Sequence, residues 1–268
     1  MASNSKALRV RIKSVSSTLQ LTKAMELVAS SKIRRANAAM LRAREYVSCL
    51  EDAMRSFSEN REANSNLFFK QSENGRVRLI VIAGDRGLAG GYNANVFRLA
   101  KEYPEAEFYP IGKRACDRFG KENVSSETFS FSDACKLADL LCEDFRLGKF
   151  DRLGILYTGY RSVITQEATV RWVLPLVSHH REEADGGLFE PDYETALIGA
   201  VREYVAGLIV SYVRESFASE VAARRMAMDS AGKNAREMID RLQLEYNRAR
   251  QGAITQEITE IVAGSGTE

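Results

Sequence analysis

Helix-breaking residues are confined to the middle of this chain, and this distribution constrains its fold more than any other feature. No glycine or proline occurs before Gly75, whereas all four prolines and eleven of the eighteen glycines lie between residues 84 and 191. An interior proline costs a helix about 3 kcal/mol and a glycine about 1 kcal/mol relative to alanine. Both ends of the chain can therefore form long helices, while the middle must fold differently.

The N-terminal segment carries a heptad pattern. From Leu8 to Phe57, residues at alternating spacings of four and three are apolar, and only Thr22 and Glu26 interrupt them. This pattern is typical of a coiled coil. A helix over residues 5–57 would be roughly 80 Å long, which is too long for one small globular core.

The C-terminal segment repeats this pattern over residues 195–262, with a stretch rich in small residues at 219–236. A lone helix with one apolar stripe would leave that stripe in water. We therefore expect the two terminal helices to pair with each other. The insert between them makes the pairing antiparallel.

Between these helices the sequence alternates between strand and helix patterns. Residues 77–83 form a continuous apolar run typical of a buried parallel strand. We predict further strands at 107–111, 153–157 and 168–174, and helices at 94–101 and 133–147. The fold class is thus α/β plus a long antiparallel coiled coil, with an open, Rossmann-like sheet. The predicted boundaries are a helix at 1–60, a polar linker at 61–75, the α/β domain at 76–192, a helix at 193–264 and a tail at 265–268.

A glycine-rich turn at 84–93 follows the first predicted strand, where nucleotide phosphates are often held. A P-loop needs GxxxxGK followed by Ser or Thr, and neither Gly84 nor Gly87 begins that pattern. A dinucleotide turn needs GxGxxG, and Arg86 occupies the place of its second glycine. We therefore interpret the turn as structural.

No residue pattern predicts catalysis, a cofactor or a metal. The two histidines, His179 and His180, are neighbours that point to different sides of any regular structure. The carboxylates of the predicted helix at 133–147 lie on a charged face, without a clear acid and base pair. No metal-binding spacing occurs among the four cysteines, so we expect them to be reduced apolar fillers: Cys49, Cys116, Cys135 and Cys142.

Charge is distributed unevenly although the chain is nearly neutral. Residues 1–44 contain ten Lys or Arg residues and a single acid, Glu26. This segment is suited to an acidic partner, although a solvated coiled-coil flank would carry similar charge. Nucleic-acid binding is a rival interpretation, but no aromatic residue precedes Tyr46. No stretch approaches the roughly 18 uninterrupted apolar residues of a spanning helix, and the N-terminus lacks a secretory signal pattern.

Three motifs in order along the chain resemble the gamma subunits of F-type ATP synthases. The first comprises RIKSV at 11–15 and LTKAMELVASSK at 21–32, and the second is the glycine turn at 84–93. The third comprises AMDSA at 227–231, NA at 234–235, LEYNRARQ at 244–251 and ITQEI at 254–258. The resemblance covers the full length.

This resemblance implies a rotor inside a ring of alternating alpha and beta subunits, with the α/β domain contacting the epsilon subunit and the ring of c subunits. One copy per complex would couple proton-driven rotation of the c ring to conformational changes in the catalytic beta subunits. The chain itself would not be catalytic and would bind no nucleic acid. The alternatives are a coiled-coil nucleic-acid scaffold and, with less support, an α/β enzyme.

The resemblance also implies partner contacts. Thr22, Lys23, Met25 and Glu26 would meet the acidic lever of a beta subunit. Arg250 and Gln251 would form a hydrogen-bonding catch with a beta-subunit loop, because the rigid donor fork of arginine suits a carboxylate. Further apolar residues would turn within a smooth bearing: Ile254, Ile258, Ile261 and Val262.

The sequence departs from related sequences in two respects. Ala89 stands where many relatives have cysteine, and the inserted cysteine pair of the chloroplast type is absent. A mitochondrial targeting pattern is also absent. We therefore expect a bacterial protein at the cytoplasmic face of the plasma membrane, attached as a peripheral subunit.

Overall fold

The computed structural model describes residues 2–71, 75–178 and 189–265. The elements follow in the order α1 (Ala2–Glu59), two 3₁₀ turns (Arg61–Ser65 and Leu67–Phe69), β1 (Val77–Ile82), α2 (Tyr92–Ala100), β2 (Glu107–Ile111), α3 (Lys113–Phe119), α4 (Phe131–Arg146), β3 (Arg152–Tyr160), β4 (Gln166–Leu174) and α5 (Tyr193–Ser265). The predicted fold class is confirmed, because an α/β sheet lies between two long terminal helices in the chain. The short helix α3 was not predicted.

The chain divides into two compact units. One consists of Met1–Ala29 with Arg225–Glu268, and the other of Ser30–Arg224. Each long helix contributes residues to both. The larger unit therefore holds the whole α/β sheet together with parts of α1 and α5.

In the larger unit the four strands form one sheet in the order β2-β1-β3-β4. Strand β1 pairs in parallel with β2 and with β3, and β4 pairs antiparallel with β3. The central position of β1 explains its continuous apolar sequence, because helices cover both faces of such a strand. The antiparallel edge strand β4 makes the sheet mixed.

Successive side chains of β1 enter two different cores, as the period of two in a strand requires. Ile80 and Ile82 lie in the larger core, together with residues of α4 and α5. Leu79 and Val81 face the other side, where Val96 and other residues of α2 and α3 cover them. The sheet therefore lies between two helix layers, with α4 and α5 on one face and α2 and α3 on the other.

Within the larger unit, α1 and α5 run antiparallel. Ala36 and Met40 cluster with Ala218, whereas the Phe57 ring lies 5.9 Å from that of Tyr193. Residue numbers thus rise along one helix as they fall along the other. The antiparallel pairing expected from the two apolar stripes is confirmed in this unit.

The smaller unit contains the remaining parts of the two helices. Gly232 of α5 is buried, and a Cβ added there would lie 3.7 Å from Thr22 Oγ1 and 3.9 Å from Leu19 Cδ1. In this unit the heptad positions of α1 are buried or half-buried. The heptad positions of α5 are also buried or half-buried up to Ala253. Beyond that residue the apolar side chains are exposed, among them Ile254, Ile258 and Ile261.

The interpretation of residues 61–75 as a polar linker is wrong for its described part. Ala63, Phe68 and Phe69 are buried in the larger core, and the Phe68 ring stacks 5.8 Å from that of Phe145. Polar neighbours concealed this role, because Asn60 and Asn66 cap the two 3₁₀ turns that direct the apolar side chains inward.

One of the four cysteines differs from the prediction. Cys116 and Cys142 are buried and free, as apolar fillers would be, and burial raises the pKa of the Cys142 thiol to about 12. Cys135 is half-buried and packs against the larger core, whereas Cys49 is exposed and is not a filler. The two histidines, His179 and His180, lie outside the described residues.

One described helix, Tyr193–Val262, is long and apolar enough by composition to cross a membrane, with a mean hydropathy of 1.5 over its most apolar 18 residues. Half of that window is buried inside the protein. Packing inside the protein therefore accounts for part of its apolar character.

Candidate functional site

The glycine turn after β1 is held by hydrogen bonds within the chain. The side chain of Asn93 accepts a hydrogen bond from the Gly84 N–H at 2.9 Å and donates one to the Arg86 carbonyl at 3.2 Å. Leu88 and Gly90 adopt positive φ angles of 61° and 59°. The turn is thus closed by its own residues.

Asp85 lies in this turn and is held by hydrogen bonds from other segments of the chain. Its carboxylate accepts hydrogen bonds from the backbone N–H groups of Lys113, Ser126 and Glu127 and from the hydroxyl of Ser125. Burial alone would raise the pKa of Asp85, but these hydrogen bonds outweigh it and hold the pKa below its ordinary value. The carboxylate therefore stays ionised and joins the turn to α3 and to residues 125–127.

Glu220 of α5 closes the other side of the turn. A Cβ added at Gly84 would lie 2.7 Å from the Glu220 carboxyl carbon, so glycine is required for this approach. Glu220 is buried and forms an ion pair of 2.5 Å with Arg224, which also donates to the Gly87 carbonyl. Burial raises the pKa of Glu220 although Arg224 opposes the shift.

The predicted contact residues near the N-terminus lie in the smaller unit and differ in exposure. Lys23 is exposed, whereas Met25 and Glu26 are half-buried. Thr22 is buried, and its hydroxyl donates a 3.0 Å hydrogen bond to the Leu19 carbonyl. Thr22 therefore belongs to the seam between α1 and α5 in that unit and presents no free polar group to a partner.

The predicted contact residues near the C-terminus lie on an exposed part of α5. Arg250 and Gln251 are exposed, and Ile254 and Ile258 are 43% and 56% exposed. A run of large apolar side chains in water is unusual for a folded chain and indicates a surface that a partner covers. The structure thus brings these four predicted residues together on one helical segment.

The basic N-terminal segment is partly neutralised inside the larger unit. Lys32 forms a 2.6 Å ion pair with Glu127, and Arg44 forms a 2.8 Å ion pair with the buried Glu215. Sequence reasoning counted both cations as available to an acidic partner. Their acids lie 95 and 171 residues away in the chain, so no local signal could have revealed the pairing.

Arg35 remains exposed beside Lys32, in a cavity of about 270 Å³ that is also lined by Arg214 and Phe217. The described residues contain no cluster of three or more His, Cys, Asp or Glu side chains that could hold a metal ion. The candidate functional surface is the exposed segment of α5 that contains Arg250 and Ile258.

Comparison with known proteins agrees with this description. A family model described as ATP synthase matches residues 4–267. An ATP synthase gamma chain of Ruminococcus albus is 41% identical and covers 98% of both chains. The ATP synthase gamma chain of Acetobacterium woodii named sodium ion specific is 38% identical and covers 99% of both.

Solved structures share the fold. The rotor of the Euglena gracilis mitochondrial ATP synthase in rotational state 1 matches with a TM-score of 0.69 at 19% identity, covering 95% of this chain and all of that one. The central stalk and c-ring structure of the Tetrahymena thermophila mitochondrial ATP synthase matches with a TM-score of 0.64 at 19% identity, covering 79% of this chain and 99% of that one. These relatives do not support a nucleic-acid scaffold or a separate α/β enzyme. The chain belongs to the ATP synthase gamma chain family.

Proposed function

We propose that this chain is the central-stalk rotor of an F-type ATP synthase and transmits torque without catalysing a reaction. The observation that carries the proposal is the match to gamma chains at 41% identity over nearly the whole of both sequences. The architecture suits the role. Two paired helices form a stiff element, and the α/β domain offers surfaces for other subunits.

Coupling would proceed by mechanical contact. Rotation of the ring of c subunits turns the shaft, whose asymmetric surface moves each catalytic beta subunit through its conformational states in turn. ATP hydrolysis in the head would drive the same motion in reverse. The chain itself needs neither a nucleotide nor a metal for this work.

The exposed end of α5 supports a contact with the head. Ile254, Ile258, Ile261 and Val262 expose apolar surface that water does not stabilise. An apolar sleeve of alpha and beta subunits would cover these side chains. Because hydrophobic contact is nondirectional, the shaft could turn in the sleeve against a low barrier.

Other surfaces would bind the remaining partners. Lys23, Met25 and Glu26 would meet the acidic lever of a beta subunit, and Arg250 with Gln251 would form a catch on a beta-subunit loop. The α/β domain would contact the epsilon subunit and the ring of c subunits. One copy of the chain would lie at the cytoplasmic face of a bacterial plasma membrane, held there through the complex.

Purification of the native complex tests this proposal. The chain, tagged and expressed in its own host, should be recovered from detergent-treated membranes with alpha, beta and epsilon subunits and the c ring. The isolated chain should hydrolyse no ATP, whereas the complex should. Recovery of the chain alone, or bound to nucleic acid, would refute the proposal.

The same preparation identifies the coupling ion. We expect protons, although one relative at 38% identity is named sodium ion specific. Reconstituted vesicles should synthesise ATP when driven by a pH gradient without Na⁺. Synthesis that requires a sodium gradient would correct the ion while leaving the rotor function intact.

A further inference from the structure

Strand β3 extends beyond its neighbour β1, and this overhang leaves backbone groups that need partners. The parallel pairing of β1 with β3 ends at Val81 and Leu156, whereas the antiparallel pairing of β3 with β4 continues to Tyr160 and Gln166. Alternate residues of a strand direct their N–H and C=O groups to the same side. Thr158 and Tyr160 therefore face the side that β1 has left.

Side chains of α5 occupy that side in place of a strand. The Ser216 hydroxyl accepts from the Thr158 N–H at 3.1 Å, and the Ser219 hydroxyl donates to the Thr158 carbonyl at 3.0 Å. Glu215 accepts from the Tyr160 N–H at 2.9 Å. Three consecutive hydrogen bonds of a strand ladder are thus supplied by a helix.

Arg44 of α1 completes the arrangement. Its Nη2 group donates to the Tyr160 carbonyl at 3.2 Å and to Glu215 at 2.8 Å, and its Nε group donates to the second oxygen of Glu215 at 3.3 Å. The Tyr92 hydroxyl of α2 donates to the backbone carbonyl of Ser216 at 3.1 Å. We call these residues the polar joint: Arg44, Tyr92, Thr158, Tyr160, Glu215, Ser216 and Ser219.

Most of the polar joint is buried, which makes those bonds costly to break, although the Arg44 side chain is 43% exposed. Thr158, Ser216 and Ser219 are at most 3% exposed, and Glu215 is 6% exposed. If α5 rotated or slid against the sheet, buried donors and acceptors would lose their partners without gaining water. Apolar contacts elsewhere along α5 impose no such directional restraint.

We infer that the polar joint is the torsional anchor through which torque passes between the α/β sheet and the paired helices in the larger unit. This inference rests on the proposed rotor function. Within that function it assigns Glu215, Ser216 and Ser219 as positioning residues that fix the rotation of α5 relative to the sheet. The apolar core gives stability, and the polar joint gives stiffness.

Torsional stiffness measured in the assembled complex tests the inference. With the head immobilised, a bead is attached to the α/β domain through Ile164→Cys, a 77% exposed position in the loop between β3 and β4, in a Cys49→Ser background. The angular fluctuations of the bead without ATP report stiffness. The Ser216→Ala/Ser219→Ala double variant and Glu215→Ala should assemble and hydrolyse ATP at the parent rate, with a loss of stiffness.

Glu203→Ala is the matched control. It lies on the same helix but is exposed, and its partner Tyr46 belongs to α1, so the substitution breaks a bond between helices and none to the sheet. Its stiffness should equal that of the parent. If the double variant does not assemble, Ser216→Ala alone, which removes the acceptor of one hydrogen bond, carries the test.

Parent stiffness in an assembled variant of the polar joint would overturn the inference. Failure of the proposed function looks different, because the bead on the parent complex would then not rotate when ATP is added.

Discussion

Gly207 of α5 lies directly against Leu50 of α1, so that a Cβ added at Gly207 would approach Leu50 Cδ1 to 2.4 Å and Tyr46 Cε1 to 3.2 Å. Carbon atoms in contact prefer separations of about 3.5–4.0 Å. The two helices of the larger unit thus pack closely at a residue without a side chain.

Gly207→Ala should lower the melting temperature of the chain relative to Gly199→Ala, its matched control. Both substitutions remove a helical glycine and gain about 1 kcal/mol of helix propensity. At Gly199 nothing lies within 4 Å of the added carbon, so that gain is kept. At Gly207 overpacking should cost about 1–3 kcal/mol. Equal melting temperatures would contradict the close approach.

Gly112→Ala should unfold the α/β domain more readily than Gly120→Ala. Both glycines have positive φ angles, 100° and 65°, at which a side chain is strained. An added carbon at Gly112 would also lie 1.9 Å from the Ala83 carbonyl oxygen, whereas nothing lies within 4 Å at Gly120. We expect a loss of about 1 kcal/mol at Gly120 and at least about 3 kcal/mol at Gly112, measured by urea unfolding.

Asp144→Asn should destabilise the protein at neutral pH. The buried Asp144 carboxylate accepts from Lys149 at 2.6 Å and from Arg78 at 2.5 Å. These hydrogen bonds hold the pKa of Asp144 below its ordinary value, and the bond from Lys149 has the largest effect. Removing the charge leaves the buried Arg78 without one partner, and we expect a loss of about 3 kcal/mol in the free energy of unfolding at pH 7.

The loss of stability caused by Asp144→Asn should depend on pH. Because the folded pKa of Asp144 lies below the unfolded one, the stabilisation is present above about pH 4 and disappears as the pH falls through the folded value. Denaturant unfolding curves of parent and variant should therefore converge below pH 4. Asp139→Asn, on the exposed face of the same helix, should change stability little at any pH. A constant difference for Asp144→Asn would exclude this electrostatic origin.

Arg250→Ala should abolish coupled ATP synthesis while the complex still assembles. Arg250 is exposed on α5, so its loss should not disturb the fold. Arg248→Ala, at another exposed arginine two residues earlier, is the control for the loss of charge. ATP synthesis by inverted membrane vesicles and the subunit content of the complex are the measurements. Normal synthesis by Arg250→Ala would show that the assigned catch is wrong.

The long helices were predictable because their signal is periodic and extends over many turns. Every heptad position of α1 from Leu8 to Phe57 is buried or half-buried. Even Thr22, which appeared as a polar fault, is buried within the seam, since its hydroxyl is satisfied by the Leu19 carbonyl of its own helix. The heptad period therefore identifies the face of α1 that is covered, even at a position where the residue itself is polar.

Strand positions were predictable to within a few residues, with β2 at 107–111 as expected. The ends of β3 were harder, because its last residues, Thr158 to Tyr160, depend on distant partners. Their hydrogen bonds go to Glu215, Ser216 and Ser219, more than 50 residues away. No pattern within the strand could signal a helix that takes the place of a neighbouring strand.

The burial of Phe68 and Phe69 was missed for a similar reason. Polar residues such as Asn60 and Asn66 precede the two phenylalanines and make the segment look like a loop. The 3₁₀ turns that contain this segment are too short to show a helical period in the sequence. Among the contact residues, the sequence identified positions through family resemblance. Whether each of these residues is exposed could be seen only in the structure, in which Arg250 is exposed and Thr22 is buried.

The arrangement around Asp85 has a consequence for ligand binding. In many α/β proteins the first turn after the central strand offers its N–H groups to an external phosphate. Here the turn carries an anion of its own, the Asp85 carboxylate, and the N–H groups of Lys113, Ser126 and Glu127 from other segments donate to it. A nucleotide phosphate brought to this turn would be repelled by that like charge. Through Asp85 the turn instead ties the end of β1 to α3 and to the segment that precedes α4.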